Sequence, residues 1–253
     1  MQRTRLSIIA LLASIWTTLP AHGDDGAPGE ALSAEDIVAR SVQARGGLEA
    51  WKSVRTVRMQ GAMELEGGES APLTLEFKRP SKVRIEFEIQ GRKGSQAYDG
   101  ETAWAVVSFG EGEPVRLDPE QSQELVQQAD FEGPLVGYRE KGHEIRLVGP
   151  QTLEGTDVYS IELERKDGEV TVHHIDAESF LEVRQSTRRS IEEREVEISV
   201  RLSDYRKVGE LLIPHRVEQS VSVAPAPQVI QLDSVELNVD LADERFAFPE
   251  DPG

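Results

Sequence analysis

The side chains that could carry acid–base or metal chemistry are four histidines beyond the first 23 residues: His143, His173, His174 and His215. His173 and His174 are adjacent in a segment with strand-like alternation, so they point to opposite faces and cannot chelate one ion together. The sequence has no H-E-x-x-H, G-x-S-x-G, P-loop or glycine-rich dinucleotide motif. Gly110-Glu111-Gly112 is a turn without the rest of a phosphate cradle. We therefore predict no catalytic residue, no metal site, no cofactor and no enzymatic activity.

The chain is strongly acidic. It has 46 Asp and Glu residues against 28 Lys and Arg, for a formal net charge of −18. At this composition, neighbouring acids such as Glu192-Glu193 arise by chance and form a solvated face. Nucleic-acid binding needs clustered Lys and Arg, and so does docking onto an anionic membrane. We therefore predict no nucleic-acid partner and a soluble monomer, because like charges keep molecules apart.

The N-terminus has the pattern of a secretory signal. Two arginines lie within Met1–Arg5, an apolar run follows at Leu6–Trp16, and Pro20-Ala21-His22-Gly23 has small residues where a signal peptidase reads. The apolar run is shorter than the ~20 residues that span a bilayer. We predict a signal peptide at residues 1–23, cleaved after Gly23, and a flexible N-terminus at residues 24–32.

Cysteine is absent from the sequence. Attachment of a lipid anchor needs a cysteine just after the cleavage site, and disulfides and thiolate metal sites need cysteine too, so all three are excluded. The sole asparagine, Asn238, is not in an N-x-S/T site. The expected location is the periplasm, without a lipid anchor.

Two segments have helical spacing and capping residues. Ser33-Ala34-Glu35-Asp36 resembles a capping box, and the apolar spacing after it continues to Gly46-Gly47, where the helix should end. Leu48–Trp51 would form a short further turn. A second helix is predicted at Asp118–Asp130, because Asp118 can cap it and proline suits the first helical position.

From Lys52 onward the apolar period changes to two. Leu73, Leu75 and Phe77 alternate with polar residues, and the same pattern recurs in most later segments up to Leu241. Alternation of this kind indicates antiparallel strands with one dry and one wet face. Asp99-Gly100 is a strong hairpin signal between two such strands. We count about ten to eleven strands in one domain at residues 33–249, followed by a disordered tail at 250–253.

A sheet with one dry face must bury that face, and two or three short helices cannot cover so many strands. The sequence therefore predicts a mainly β fold: a strongly curved antiparallel sheet, or unclosed half-barrel, with the helices as a lid over its concave face. Barrels of comparable strand number can hold one small ligand. Aromatic residues are only 6% of the chain, which favours an apolar hollow that is incompletely filled. The alternative is an interior filled by large side chains.

The candidate ligand-binding residues are inward positions of the central strands and apolar positions of the lid. The predicted cavity lining is Leu75, Phe77, Ile85, Phe87, Trp104, Val106, Tyr159 and Ile161. The predicted lid residues are Leu125, Val126, Phe131, Leu135 and Val136. For each lining residue, plain core packing is the alternative interpretation.

Several short segments, each present once, follow one another along the chain in an order that carries a resemblance. They are A-R-G-G-L-E-A-W (44–51) with V-R-T-V (54–57), Y-D-G-E-T-A-W (98–104), Ile175-Asp176 with Leu181, the stretch from Asp204-Tyr205-Arg206 through Gly209 to His215, and F-A-F-P (246–249). In this order they resemble the LolA/LolB-like superfamily of periplasmic lipoprotein-localisation factors, in particular its branch of outer-membrane lipoprotein-sorting proteins.

The resemblance implies an unclosed β-barrel with a helical lid over a hydrophobic cavity that takes acyl chains of lipoproteins or other lipids. The partners it implies are a lipid or acylated lipoprotein, an inner-membrane donor and an outer-membrane acceptor. Without a cysteine, the chain looks like a soluble shuttle. Two alternatives stay open. A non-enzymatic periplasmic interaction protein would have a filled core and bind through a sheet edge or the loop at Phe131–Tyr138. A hydrolase would need a polar cluster inside the sheet.

Overall fold

The computed structural model describes residues 32–65, 68–107, 113–191, 194–224 and 226–249. The helices are α1 (Ala34–Ala44), α2 (Leu48–Ser53), α3 (Pro119–Gln128) and a 3₁₀ turn at Asp243–Arg245. The strands are β1 (Thr56–Glu64), β2 (Ser70–Lys78), β3 (Lys82–Ile89), β4 (Arg92–Tyr98), β5 (Ala103–Val107), β6 (Val115–Arg116), β7 (Glu144–Leu153), β8 (Thr156–Glu164), β9 (Val170–Asp176), β10 (Glu182–Ile191), β11 (Arg194–Val208), β12 (Leu211–Val221) and β13 (Gln228–Leu237).

Some sequence predictions fall outside this description. The predicted signal peptide at 1–23, the turn Gly110-Glu111-Gly112, the acidic pair Glu192-Glu193 and the tail at 250–253 lie outside the described residues. Of the N-terminal segment predicted to be flexible, only Leu32 is described, and it packs against buried residues beside α1.

All thirteen described strands form one antiparallel sheet. Its order is β6-β5-β4-β3-β2-β1-β13-β12-β11-β10-β9-β8-β7. The first and last strands therefore pair in the middle, with Val57 opposite Leu237 and Met63 opposite Ile230. β6 and β7 are the outer edges, so the sheet does not close into a barrel.

The predicted fold class is confirmed: the protein is mainly β, with an open, strongly curved antiparallel sheet and short helices over its concave face. The strand number is higher than the predicted ten to eleven. The sequence reading missed the two edge strands. β6 has only two residues, and β7 contains Gly149 and Pro150 beside an irregularity in its pairing with β8. Both features weaken the alternation that identifies a strand.

Reciprocal capping boxes start the two longer helices. The backbone amide of Asp36 donates to Ser33 Oγ (3.1 Å) and the Ser33 amide donates to the Asp36 carboxylate (3.1 Å) at α1. Asp118 and Gln121 make the same exchange at α3, which ends at Gln128, two residues before the predicted end. Gly46 allows the corner between α1 and α2 to approach the β11–β12 turn, because a Cβ there would lie 2.5 Å from the carbonyl oxygen of Glu210.

Two groups of buried residues fill the ends of the concave face under the helices. The first, here the α2–α3 cluster, joins those two helices to β1–β5 and the start of β12; its buried members are Trp51, Val54, Val57, Leu73, Phe77, Val83, Ile85, Ala103, Leu125, Ala129, Val136, Leu211 and Ile213. The second, here the α1 cluster, joins α1 to β8 and β9; its buried members are Ala34, Ile37, Val38, Leu135, Ile161, Leu163 and Ile175.

The C-terminal segment after β13 covers part of the opposite, convex face. The indole nitrogen of Trp104 donates to the carbonyl oxygen of Phe246 (2.9 Å). The buried carboxylate of Glu76 accepts from Arg58 (2.9 Å) and from Arg245 (2.7 Å). These contacts hold the segment after β13 against β1, β2 and β5. None of the helices in the described ranges is both long and apolar enough to cross a membrane.

Candidate functional site

Four of the predicted lining residues lie together on the concave face of β2 and β3. The register places Leu75 opposite Ile85 and Phe77 next to Val83. Phe77 and Ile85 are buried members of the α2–α3 cluster, and Leu75 and Phe87 pack at its rim and stay partly exposed. The structure thus brings these four residues together, and Phe77 and Ile85 form part of the packed core.

Tyr159 and Ile161 lie on the concave face of β8, at the other end of the sheet. Ile161 is fully buried in the α1 cluster, and Tyr159 packs at its rim against Phe180, with ring centroids 6.1 Å apart. The predicted lining therefore does not form one continuous patch, because the two clusters divide it.

Trp104 and Val106 do not lie on the concave face, and their assignment to the lining is corrected. Val83 is buried in the α2–α3 cluster on the concave face. Tyr98 is opposite Val83, and Ala103 is opposite Tyr98, so Ala103 also lies on the concave face. Residues alternate along β5, so Trp104 and Val106 face the convex side. Trp104 is buried there against the C-terminal segment, with its ring 6.4 Å from that of Phe248.

Four of the five predicted lid residues contact the core. Leu125 and Val136 are buried in the α2–α3 cluster, and Phe131 packs at its rim. Leu135 is buried in the α1 cluster, so the adjacent pair Leu135 and Val136 inserts into both clusters. Val126 is 43% exposed and points away from the core.

Between the two clusters, the middle of the concave face carries apolar side chains in one line across four strands. Met63 on β1 is opposite Ile230 on β13, Ile230 is opposite Val217 on β12, and Val217 is opposite Leu202 on β11. All four are partly exposed, and Met63, Val217 and Leu202 belong to neither cluster. We call this line the apolar row. Neighbouring strands are ~4.8 Å apart, so the apolar row is about 14 Å long.

A group of polar side chains, here the polar cluster, lies beside the β11 end of the apolar row. His173 on β9 bonds through Nδ1 to the carboxylate of Glu182 at the start of β10. The hydroxyl of Tyr205 on β11 donates to the backbone carbonyl of Glu182 (2.7 Å). The guanidinium carbon of Arg45, at the end of α1, is 4.7 Å from the ring centroid of Trp51 in α2. These five residues make up the polar cluster.

The electrostatics of the polar cluster centre on Glu182. Burial would raise the pKa of this carboxyl, but the charge and hydrogen bond of His173 and the nearby charge of Arg45 outweigh burial and hold the pKa below its ordinary value. Burial and the proximity of Glu182 raise the pKa of the Tyr205 phenol far above its ordinary value. The guanidinium of Arg45 is therefore close to the Glu182 carboxylate and to the Tyr205 phenol, under the corner between α1 and α2.

The polar cluster bears on the hydrolase alternative. His173 with Glu182 resembles the base and orienting acid of a catalytic triad. A nucleophile would have to bond to the other ring nitrogen, and Nε2 of His173 has no hydrogen-bond partner in the part of the chain that the structure describes. Nor do three or more metal-binding side chains gather anywhere in that part.

A cleft of about 480 Å³ lies between α1 and the loop at 135–140. Its walls are α1 residues such as Val38 and Val42, the start of α2 at Leu48, and the loop at 135–140. Of the residues predicted for the cavity or lid, only Leu135 contributes to it.

Sequence reasoning missed both the apolar row and the polar cluster. The row residues were recognisable as inward strand positions, but only the pairing of β1 with β13 brings them into line. Arg45, Trp51 and the pair Asp204-Tyr205 stood in the segments that carried the family resemblance, which was the one available signal for the polar cluster.

No protein-family model matches the sequence, and no curated protein does. Solved structures match the fold. A LolA superfamily protein from Nitrosomonas europaea has a TM-score of 0.59 at 15% identity, over 86% of this chain and 98% of that one. A DUF1329 family protein from Desulfovibrio piger has 0.60 at 14%, over 85% and 97%. A putative outer membrane lipoprotein-sorting protein domain from Vibrio parahaemolyticus has 0.57 at 10%, over 85% and 95%. This chain therefore has the fold of the LolA superfamily.

Proposed function

We propose that this protein is a non-catalytic periplasmic carrier or binder of acyl chains, and that the apolar row is where the chain lies. The observation that carries the proposal is the row itself: four partly exposed apolar side chains in register across β1, β13, β12 and β11. A continuous line of exposed apolar groups between two packed clusters is typical of a binding groove rather than of a finished core.

The energetics suit a carrier that must also release its cargo. Burying one methylene contributes ~0.8 kcal/mol, so a long acyl chain that is fully buried gains on the order of 10 kcal/mol. The apolar row offers only partial cover, which leaves the affinity below that limit. Phe131, Leu135 and Val136 lie in the segment above the clusters, and their displacement would cost free energy that loading repays.

The cargo and partners follow from the fold likeness and the sequence. One structure of this fold is described as a putative outer membrane lipoprotein-sorting protein domain, which supports an acylated lipoprotein or a lipid as cargo. A carrier of this kind would receive its cargo at the inner membrane and deliver it at the outer membrane. The secretory pattern at residues 1–23 supports a periplasmic location, and the net charge of −18 supports a monomer.

The test combines native mass spectrometry of protein purified from a periplasm with titration of a fluorescent fatty acid. We expect co-purifying lipid and saturable binding. Val217→Glu places a carboxylate in the middle of the apolar row and should weaken binding about tenfold or more, because the charge must lose water when the chain binds. Val223→Glu is the matched control, since Val223 is 67% exposed in the loop after β12 and should bind as the wild type does.

A second candidate function is favoured by the two clusters, which fill much of the concave face. In that case the protein is a periplasmic interaction module with a packed interior. Protein that purifies free of lipid and does not bind the fluorescent fatty acid would support this candidate and refute the carrier. Equal weakening by Val217→Glu and Val223→Glu would refute the apolar row as the binding groove.

A further inference from the structure

The polar cluster contains three buried nitrogen atoms without hydrogen-bond partners among the described residues. They are Nε of Arg45, Nε1 of Trp51 and Nε2 of His173. Trp51 is 2% exposed and His173 is fully buried. Buried polar groups in folded proteins almost always have a partner, so three in one region indicate that a partner is supplied from outside the chain.

Two of the three atoms belong to neighbouring side chains. The guanidinium carbon of Arg45 lies 4.7 Å from the centroid of the Trp51 ring, so the two N–H donors are in the same region. The third atom is linked to them through β11 and β12. The amide of Leu212 on β12 donates to the carbonyl oxygen of Arg45 (3.2 Å), and β12 pairs with β11, where Tyr205 bonds to Glu182, the partner of His173. The missing partner must therefore offer an acceptor oxygen to the two donors.

The position of the polar cluster relates it to the apolar row. Arg184 on β10 is opposite Arg201 on β11, so the residues just before Arg184 run alongside Leu202, the last member of the row. Tyr205, three residues after Leu202, bonds to the backbone of Glu182. A chain lying along the row would end beside the polar cluster.

The charges of the polar cluster limit the kind of acceptor. The pKa of Glu182 lies below its ordinary value, so its carboxylate is negatively charged at neutral pH. This charge offsets the positive charge of Arg45. A ligand carboxylate would bring a second negative charge next to Glu182, which is unfavourable in a buried site. An uncharged carbonyl oxygen accepts from Arg45 and Trp51 without that repulsion. Nε2 of His173 is the third unpartnered nitrogen of the polar cluster, and the tautomer of the ring decides whether it donates or accepts.

We propose that Arg45, Trp51 and His173 form a binding site for the uncharged carbonyl group, ester or amide, at the root of an acyl chain. The proposal rests on the proposed function, because the hydrocarbon must occupy the apolar row for its root to reach the polar cluster. It predicts a preference that hydrocarbon burial alone cannot give: an acyl ester binds better than either the free fatty acid or the bare hydrocarbon of similar length.

The experiment measures displacement of a fluorescent fatty acid from the full mature chain by monoolein, oleoyl amide, oleate and octadecene. We expect monoolein and oleoyl amide to bind about fivefold or more tightly than octadecene, as one or two net hydrogen bonds would give, and more tightly than oleate. Comparison of the ester with the amide separates the two sources of the carbonyl. Trp51→Phe removes one donor and keeps most of the ring, so it should reduce the preference over octadecene.

The chain offers a matched control on the other face of the sheet. Trp104 is equally buried, and its indole nitrogen donates to Phe246. Trp104→Phe should leave the ligand preference unchanged. Arg45→Lys keeps the charge and removes the Nε donor, so it gives the same readout as Trp51→Phe if that variant does not fold.

Each outcome decides the proposal. A preference for the carbonyl ligands that Trp51→Phe or Arg45→Lys reduces supports it. Equal binding of all four ligands, or a preference that survives in both variants, overturns the carbonyl site and leaves the acyl carrier standing. Tighter binding of oleate than of monoolein overturns the uncharged acceptor. Failure of every ligand to bind overturns both the proposed function and this site.

Discussion

The adjacent histidines His173 and His174 lie on opposite faces of the sheet. His173 faces the concave side and bonds to Glu182, and His174 faces the other way and shares a hydrogen bond with the hydroxyl of Ser160 (2.9 Å between Nδ1 and Oγ). Strand alternation predicts this division, and it is confirmed. The two rings therefore have separate roles, one in the polar cluster and one in packing on the convex side.

His174 gives a pH dependence of stability with a definite sign. Burial first, and then the charges of Arg184 and His173, lower the pKa of His174 below its ordinary value of 6.5. The unfolded chain therefore binds a proton at higher pH than the folded chain, so this contribution to stability is complete above about pH 6.5 and is lost as the pH falls below it. We expect the free energy of unfolding in urea to fall between about pH 7.5 and pH 5.5.

His174→Gln should reduce that slope, by at most about 1.4 kcal/mol per pH unit for one linked proton. The measurement is the urea midpoint of both proteins at several pH values, with the m-value as a check on two-state unfolding. Identical slopes in the variant and the wild type would show that the ring is protonated as easily in the fold as in water.

At the scale of elements, the segment from Asp130 to Lys141 after α3 is held at its base by charges. The ammonium of Lys141 donates to Asp130 (2.7 Å) and to the carbonyl oxygen of Gly133 (2.9 Å), and it lies 3.0 Å from Glu132. Glu132 also pairs with Arg79, which donates to the carbonyl oxygen of Val54 (2.8 Å). The buried carboxylate of Glu132 therefore connects the segment to the α2 end and the β2–β3 turn.

Glu132→Gln should loosen this segment without unfolding the sheet. The amide keeps the shape but loses the charge that both Arg79 and Lys141 require, and removing one partner of a buried ion pair is costly. We expect faster amide hydrogen exchange at residues 130–141, with exchange in β8 and β9 unchanged. Glu140→Gln is the control in the same segment, because Glu140 is mostly exposed and its one ion pair within the described ranges is with the exposed Lys52.

If exchange in the segment stays at the wild-type rate in Glu132→Gln, the ion pairs do not hold it. If exchange rises throughout the sheet, the segment is part of the global core and cannot act as a lid. A local increase together with faster loading of a fluorescent fatty acid would link the segment to ligand entry.

At the scale of the whole molecule, the sequence predicts the architecture better than the site. Alternation at Leu73, Leu75 and Phe77 identifies strands because each such residue reports its own face. β5 reads Ala-Trp-Ala-Val, apolar on both sides, and only the distant Phe246 and Phe248 decide that Trp104 is covered on the convex face. The apolar row depends on pairing between strands far apart in sequence, which no local pattern records.

The pairing of β1 with β13 joins the two halves of the sheet, and Gly61 lies at its irregular point. The register shifts between Gln60 and Gly61. A Cβ at Gly61 would overlap the carbonyl oxygen of Gln231 and approach the Cα of Leu232 to 2.8 Å, so only glycine lets the two backbones come this close. The pairing of β1 with β13, here called the seam, therefore requires glycine at position 61.

Gly61→Ala should destabilise the protein by about 1–3 kcal/mol, because rigid backbone on β13 must move to make room. Gly94→Ala is the matched comparison in β4: its Cβ would meet the ring of Phe87, a side chain that can turn aside into the partly open concave face. We expect the urea midpoint to fall clearly more for Gly61→Ala than for Gly94→Ala. Met63 and Ile230 of the apolar row lie on β1 and β13, so Gly61→Ala should also weaken fatty-acid binding. If Gly61→Ala is as stable as Gly94→Ala and binds fatty acid like the wild type, the two halves of the sheet tolerate separation of β1 from β13 at this point.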